Sequence, residues 1–366
     1  MNLLNNKAYI LTFHWATNYG AVMQCYALQE FLKNKGLYTN IINYVPRGYK
    51  KNIFSLVKSK SYLSLKSNLN ELKKEKKIEK FRKQNLQRTK KFKSFNELKS
   101  HSWENCFYFV GSDQIWNSYF TMNGEKKTTA SYYLGFVLKP AIKIAYAASF
   151  GTTSISNNMS EFIKPYLDEF DLITVRERSG KNIINSLGLN SQLVCDPVFL
   201  HNKDFYLNLI QHEYEINKKN YIFPYILHGD IETSNQIIEY LKNKKNYKIY
   251  ENKLVNTVEE WLSSINNASI VVTNSFHAIA FSIIFNIPFI AVLIKGSGMN
   301  DRLLSLLTIL GLENRIVTTF SKHEIIKIES SNIDWKNVNI RLNNFVEQSK
   351  NMIDSILNRR NESDLL

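Results

Sequence analysis

Short apolar runs alternate with amphipathic stretches along this chain, and almost every run ends in a polar turn. Residues 8–13 (AYILTF) read as a strand, and residues 20–36 as an amphipathic helix stopped by Gly36. Residues 40–45 (NIINYV), 106–111 (CFYFVG), 142–149 (IKIAYAAS) and 171–176 (DLITVR) read as further strands, and 191–200 (SQLVCDPVFL) close this half. After the polar stretch 211–220, strands are expected at 221–227 (YIFPYIL), 247–251 (YKIYE), 268–274 (ASIVVTN) and 288–294 (PFIAVLI). Helices are expected near 233–244, 258–264 and 302–310, with an amphipathic tail over 335–357. Strand–helix alternation of this kind builds parallel sheets in α/β proteins. The expected architecture is two Rossmann-like domains facing a cleft. Their bounds are 1–205, with a basic helical insertion near 50–101, and 215–335, followed by a C-terminal helix and tail over 336–366.

Charge narrows the partners. Lysine and arginine number 47 against 32 acidic residues, a formal charge of +15 over 366 residues, which favours anionic partners. Much of it lies in 71–93 (ELKKEKKIEKFRKQNLQRTKKFK), where Leu72, Ile78, Phe81 and Leu86 have the spacing of an amphipathic helix with a basic outer face. Three readings stay open for that face: a solvated lysine surface, docking on a membrane surface or a lipid-linked acceptor, and nucleic acid. No zinc finger, RNP-like aromatic motif or Arg-rich reading helix marks a nucleic-acid binder. The longest apolar run, around 278–293, is broken by Asn286 and Pro288 and is too short to span a bilayer. The start has neither a cationic n-region nor a small-residue cleavage site, so no signal peptide is expected. Cys25, Cys106 and Cys195 stand far apart in apolar or mixed segments and read as buried thiols, with no metal spacing. The expected location is cytoplasmic, with peripheral contact at the inner face of the membrane as an extension.

Five post-strand loops carry the polar content. In residues 14–24 (HWATNYGAVMQ), Asn18, Tyr19 and Gly20 lead into a helix whose first N–H groups suit a phosphate or carboxylate. Residues 110–117 (VGSDQIWN) offer Ser112, Asp113, Gln114 and Asn117 as binding groups or, for Ser112 or Asp113, as a helix cap, with Trp116 as a stacking face or part of the core. The small residues of 147–151 (AASFG) allow close approach, and a tight turn explains them equally well. Arg176, in 175–180 (VRERSG), suits a bidentate clamp on an anion or a salt bridge to Glu177, Glu169 or Asp196. Residues 271–292 (VVTNSFHAIAFSIIFNIPFIAV) place Thr273, Asn274, Ser275 and His277 between two apolar runs, at a strand–helix junction.

Taken in order, FHWATNYGAVMQCYAL, FVGSDQIWN, IAYAASFG, TVRERSG, CDPVFL and VTNSFHAIAFSIIFNIPFIAV resemble the polysaccharide pyruvyl transferase family, over about 8–315. The resemblance implies a GT-B-like α/β fold in which the C-terminal helix packs back on the first domain. It also implies transfer of pyruvate from phosphoenolpyruvate onto two hydroxyls of a sugar in a cell-surface glycan or its lipid-linked precursor. Under it, Arg176 and His277 belong to the donor site.

The residues suit that chemistry. Phosphoenolpyruvate carries a phosphate and a carboxylate and is a co-substrate, so no further cofactor and no metal is expected. Asn18, Tyr19, Gly20, Asn274, Ser275 and Arg302 are donor-side candidates beside Arg176. His277 is the candidate general acid, Asp113 the candidate base or hydroxyl-positioning group. Ser112, Gln114, Trp116 and Asn117 are acceptor-side candidates. Two departures stand out: GSDQIWN replaces a glycine-rich loop of some relatives, and Ala278 follows the histidine where glycine is common. The first touches the acceptor side, so the sugar is not carried over. The rival readings are a GT-B glycosyltransferase with a nucleotide-sugar donor and a non-catalytic glycan- or membrane-binding module.

Overall fold

The computed structural model describes residues 6–47, 62–121, 126–210, 220–227, 231–250 and 256–358. The expectations for residues 50–61 and for the stretch 211–219 fall outside them.

The strands form two wholly parallel sheets. The first contains β1 (Lys7–Leu11), β2 (Tyr38–Ile41), β3 (Phe107–Val110), β4 (Ile142–Ala148), β5 (Leu172–Val175) and β6 (Gln192–Leu193), in the order β2-β1-β3-β4-β5-β6. The second contains β7 (Tyr221–Tyr225), β8 (Lys248–Ile249), β9 (Ile270–Thr273), β10 (Phe289–Val292) and β11 (Ile316–Val317), in the order β11-β10-β9-β7-β8. Every residue of β3, β9 and β10 is buried, which is why these runs are continuously apolar and do not alternate. Strand order reverses between β1 and β3, and again between β7 and β9. In open parallel sheets, ligands bind off the carboxyl ends of strands at such reversals. The edge strand β11 was not expected, because two residues after a 3₁₀ turn carry no periodic signal.

By internal contacts the chain divides into unit 1, Met1–Leu200 with Phe345–Leu366, and unit 2, His201–Asn344. Helix Lys203–Ile210 therefore goes with unit 2, and helix Trp335–Leu357 is divided within its length. Its later residues are fixed to unit 1. Ile353 and Ile356 are buried, Ser349 Oγ accepts the Cys195 N–H at 2.9 Å, and Asp354 pairs with Lys35 at 2.7 Å.

The basic insertion is built into unit 1. Helix Tyr62–Asn85 buries Ile78 and Phe81, and Leu86 is buried just past its end. Arg82, fully buried, pairs with Glu75 and Glu79 at 2.9 Å and donates Nη2 to Ala16 O at 2.7 Å. Thr17 Oγ1 donates to Glu75 at 2.8 Å, so this helix braces the loop after β1. Glutamates face inward, and Lys73, Lys76, Lys80 and Lys83 are exposed. All three cysteines are buried and free.

Candidate functional site

In unit 1 the reversal between β1 and β3 is closed by a ring of hydrogen bonds. Thr12 Oγ1 donates to Ser112 O (3.1 Å), the Ser112 N–H donates to Gln24 Oε1 (3.0 Å), and Gln24 Nε2 donates to Thr12 Oγ1 (2.9 Å). Gly111 makes the turn at φ +115°, where a Cβ would lie 2.2 Å from Tyr146 O, so no other residue fits. Asp113 and Ala147 take φ of +68° and +51°, left-handed conformations that cost a non-glycine residue energy and concentrate at functional sites.

The ends of β5 and β6 bring charge to the same edge. Arg176 Nη1 donates to Asp196 Oδ2 at 2.6 Å, and its Nη2 lies 3.7 Å from Asp113 Oδ1. Ser112 Oγ is 2.9 Å from the same Asp196 oxygen and 3.0 Å from Ala147 O, and the Val198 N–H holds Asp196 Oδ1 at 3.1 Å. Glu177 accepts the Phe150 N–H at 2.9 Å and so anchors the loop after β4. Burial alone would lower the Arg176 pKa; the carboxylates of Asp196, Asp113 and Glu177 outweigh it and raise the pKa above its ordinary value. One guanidinium thus stands among three carboxyl groups.

Unit 2 assembles a different set at its own reversal, between β7 and β9. Thr273 Oγ1 donates to Tyr225 O at 2.5 Å and accepts the Ser275 N–H at 3.0 Å. Asn274 Oδ1 accepts the Leu227 N–H at 2.8 Å. Ser275 is the N-cap of helix Phe276–Phe285 and accepts from Ala278 N. His277 is largely buried in the first turn, edge-on to Phe276 with ring centroids 5.3 Å apart. Arg302, half-buried near the start of helix Asp301–Leu310, donates Nε to Met299 O at 3.2 Å. Among the described residues, no three His, Cys, Asp or Glu side chains converge as metal ligands would.

The structure therefore gathers Ser112, Asp113 and Arg176 in unit 1, and Asn274, Ser275 and His277 in unit 2. Other sequence-predicted residues have different surroundings. Asn18 Oδ1 caps its own helix by accepting from Gly20 N (2.9 Å) and Ala21 N (3.2 Å), the N–H groups expected to meet an anion. Tyr19 is buried, with the Lys74 amine 4.3 Å from its ring centre. Trp116 is 2% exposed, stacked on Tyr133 at 5.1 Å, with Nε1 donating to Tyr132 O. Of its two readings, core is the one its packing supports. Gln114 Oε1 accepts from Asn117 Nδ2 at 3.0 Å beside Gly151. Gln24 and Thr12 were not singled out in sequence; the one available signal was a glutamine on the apolar face of helix Tyr19–Asn34.

Two parallel α/β sheets with polar residues collected at each order reversal make this a GT-B-like protein. In fold it is similar to the S. aureus MnaA–UDP co-structure, with a TM-score of 0.52, 10% identity, and coverage of 99% of this chain and 97% of that one. It is likewise similar to a putative UDP-N-acetylglucosamine 2-epimerase from Listeria monocytogenes, with a TM-score of 0.53, 8% identity, and coverage of 99% and 98%. At these identities the likeness is one of fold alone. No curated protein matches the sequence. The family model for polysaccharide pyruvyl transferase matches residues 18–296, and the chain belongs to that transferase family. The matched span includes Asp113, Arg176 and His277 and stops short of Arg302.

Proposed function

We propose that this protein transfers the enolpyruvyl group of phosphoenolpyruvate onto two hydroxyls of one sugar, closing a cyclic ketal on a cell-surface polysaccharide or its lipid-linked precursor. The observation that carries this reading is the Arg176 guanidinium, held by Asp196 along one edge with Asp113 only loosely placed at 3.7 Å on the other. Protonation of the enol carbon by a general acid makes C2 electrophilic. The first sugar hydroxyl attacks C2 and gives its proton to Asp113. The second attacks C2 as the C2–O bond to phosphate breaks, and phosphate leaves with that electron pair and takes up the proton of the second hydroxyl. The net change is phosphoenolpyruvate plus a diol giving a ketal plus inorganic phosphate.

The charge balance around Arg176 suits this order of events. Three carboxylates weaken its hold on an anion at rest. Protonation of Asp113 removes one of them as charge builds on the leaving phosphate, so attraction to Arg176 strengthens when it is needed.

The test is thermal stability with phosphoenolpyruvate and, separately, a panel of nucleotide-sugars, repeated on Arg176→Lys and Arg176→Ala. A ligand that binds the native state raises Tm. A rise with phosphoenolpyruvate that both variants lose supports pyruvyl transfer. A rise with a nucleotide-sugar alone favours the second reading, a GT-B glycosyltransferase, which the fold likeness to the UDP-bound neighbour permits.

We further propose that the protein acts in the cytoplasm, at the inner membrane face. Lys73, Lys76, Lys80 and Lys83 recur at helical spacing, are exposed, and have no ion-pair partner among the described residues. Among those residues no helix is long and apolar enough to cross a membrane. Flotation with anionic but not with zwitterionic vesicles, lost in a variant with all four lysines changed to glutamate, is the expected result.

A further inference from the structure

We propose that a cavity at the carboxyl ends of β1 and β2 is a subsite for one acidic sugar residue, a pyranose bearing a carboxylate or a phosphate. The proposal rests on the reading above that the acceptor is a glycan. The cavity has a volume of ≈ 330 Å³ and is lined by His14, Trp15, Asn43, Glu79, Arg88 and Lys91, among others. Small-ligand sites run from roughly 300 to 1,000 Å³, so the space suits a single ring.

The lining has the groups that sugar hydroxyls require. His14 is buried; burial holds its imidazole down at about 4 against the opposing effect of its Asn43 contact, so it is neutral near pH 7. A neutral ring has one N–H, yet it faces Thr12 O at 3.3 Å and Asn43 Oδ1 at 3.1 Å. Whichever way the Asn43 amide is turned, one of its polar atoms meets His14 and the other is left for a ligand hydroxyl. Arg88 donates Nη2 to Glu79 Oε1 at 2.9 Å, and its Nη1 and Nε have no protein partner among the described residues. Together the pair offers planar donors beside a carboxylate acceptor, a match for adjacent hydroxyls. Trp15 adds an aromatic surface, an apolar body of the kind that packs against the C–H side of a ring.

Charge decides the ligand class. Burial would raise the Glu79 pKa, but its bonds to Arg88 and Arg82 outweigh that and hold it at about 2, so Glu79 is an anion that offsets Arg88. Arg82 is matched by Glu75. Lys91, exposed and with no ion-pair partner among the described residues, leaves one uncompensated positive charge. A sugar with one negative substituent completes the balance.

Position decides which sugar of the glycan this is. The cavity lies at β1 and β2, whereas Asp113 and Arg176 follow β3 and β5 of the same sheet. At about 4.8 Å per strand the separation is on the order of 5–20 Å. Thr12 touches both places, through its carbonyl facing His14 and its hydroxyl on Ser112. The acidic residue held here is therefore a neighbour along the glycan of the sugar that reacts.

The experiment is saturation-transfer NMR on the full chain with glucuronate, glucose 6-phosphate and glucose, adding inorganic phosphate as a competitor. Wild type is expected to favour at least one acidic sugar over glucose several-fold, and which one binds tells carboxylate from phosphate. Lys91→Glu, at an exposed position that leaves the fold intact, should abolish that preference, and Asn43→Ala should weaken all three sugars. Equal signals from glucose and the acidic sugars, no response to either variant, or displacement of glucose 6-phosphate by an equal concentration of phosphate would overturn the proposal. The phosphoenolpyruvate shift is measured on the same Lys91→Glu sample. Loss of sugar selectivity with that shift retained supports the subsite, while selectivity in wild type without any shift sinks pyruvyl transfer and leaves the subsite standing.

Discussion

The two order reversals use polar residues in opposite ways. In unit 1 side chains bind one another, and the backbone of Ser112 joins the two groups: Thr12, Gln24, Ser112, Asp196 and Arg176 form a connected set that includes buried charge. In unit 2 the described bonds of Thr273, Asn274 and Ser275 reach nearby backbone and are uncharged. A connected charged set fixes the direction of a guanidinium and a carboxylate, at the cost that removing one member strands the others. Separate bonds to backbone fail one at a time.

Asp196→Ala sharpens the contrast most. It leaves the Arg176 guanidinium without its 2.6 Å partner, and breaking such a buried pair costs about 3–5 kcal/mol. A denaturant midpoint near wild type would show that the set is not coupled. Gly111→Ala comes next. A left-handed φ and a 2.2 Å clash with Tyr146 O predict a loss of at least about 2–3 kcal/mol by the same measurement.

Acid should strike unit 1 through His14. Its folded pKa of about 4 lies below the ordinary 6.5, so the stabilisation is complete above pH 6.5 and is lost as pH falls toward 4. The change is on the order of 3 kcal/mol, and His14→Gln should flatten it. An equally steep acid profile in the variant would assign the effect to another group. In unit 2, Asn274→Ala removes one acceptor from the Leu227 N–H and should cost about 1–2 kcal/mol. Ser149→Ala is the smallest case: its buried hydroxyl has no partner among the described residues, so stability should change by less than about 1 kcal/mol. A large fall in turnover with unchanged Tm would instead give that hydroxyl a part in binding substrate.

Much of this was legible in the sequence because parallel strands buried on both faces are continuous apolar runs. The polar clusters stand out at their ends, as GSDQIWN, RERSG and TNSFH do. The pairing of Arg176 with Asp196 was one of several open choices, and only the adjacency of β5 and β6 selects it. What stayed hidden were partnerships across long sequence separation. Gln24 meets Ser112 88 residues away, and nothing local marks it. The role of Trp116 was undecidable without knowing that Tyr133 lies flat against it. The cavity beside His14 needs β2 and the segment after the basic helix to run together, through the bridges Ile41–Arg88 and Tyr44–Phe92, and no periodicity encodes that.

The division of helix Trp335–Leu357 between the units bears on how the chain is made. Synthesis proceeds from the N-terminus, and domains generally fold as they emerge from the ribosome. Unit 1 begins first, yet Ser349 and Asp354, which bond Cys195 and Lys35, are translated only after the whole of unit 2. The nascent chain therefore exposes the apolar seat of Ile353 and Ile356 throughout that interval. The domain that starts first is the one completed last, and its vulnerability to chaperone capture or proteolysis is set by the time the ribosome takes to translate the other.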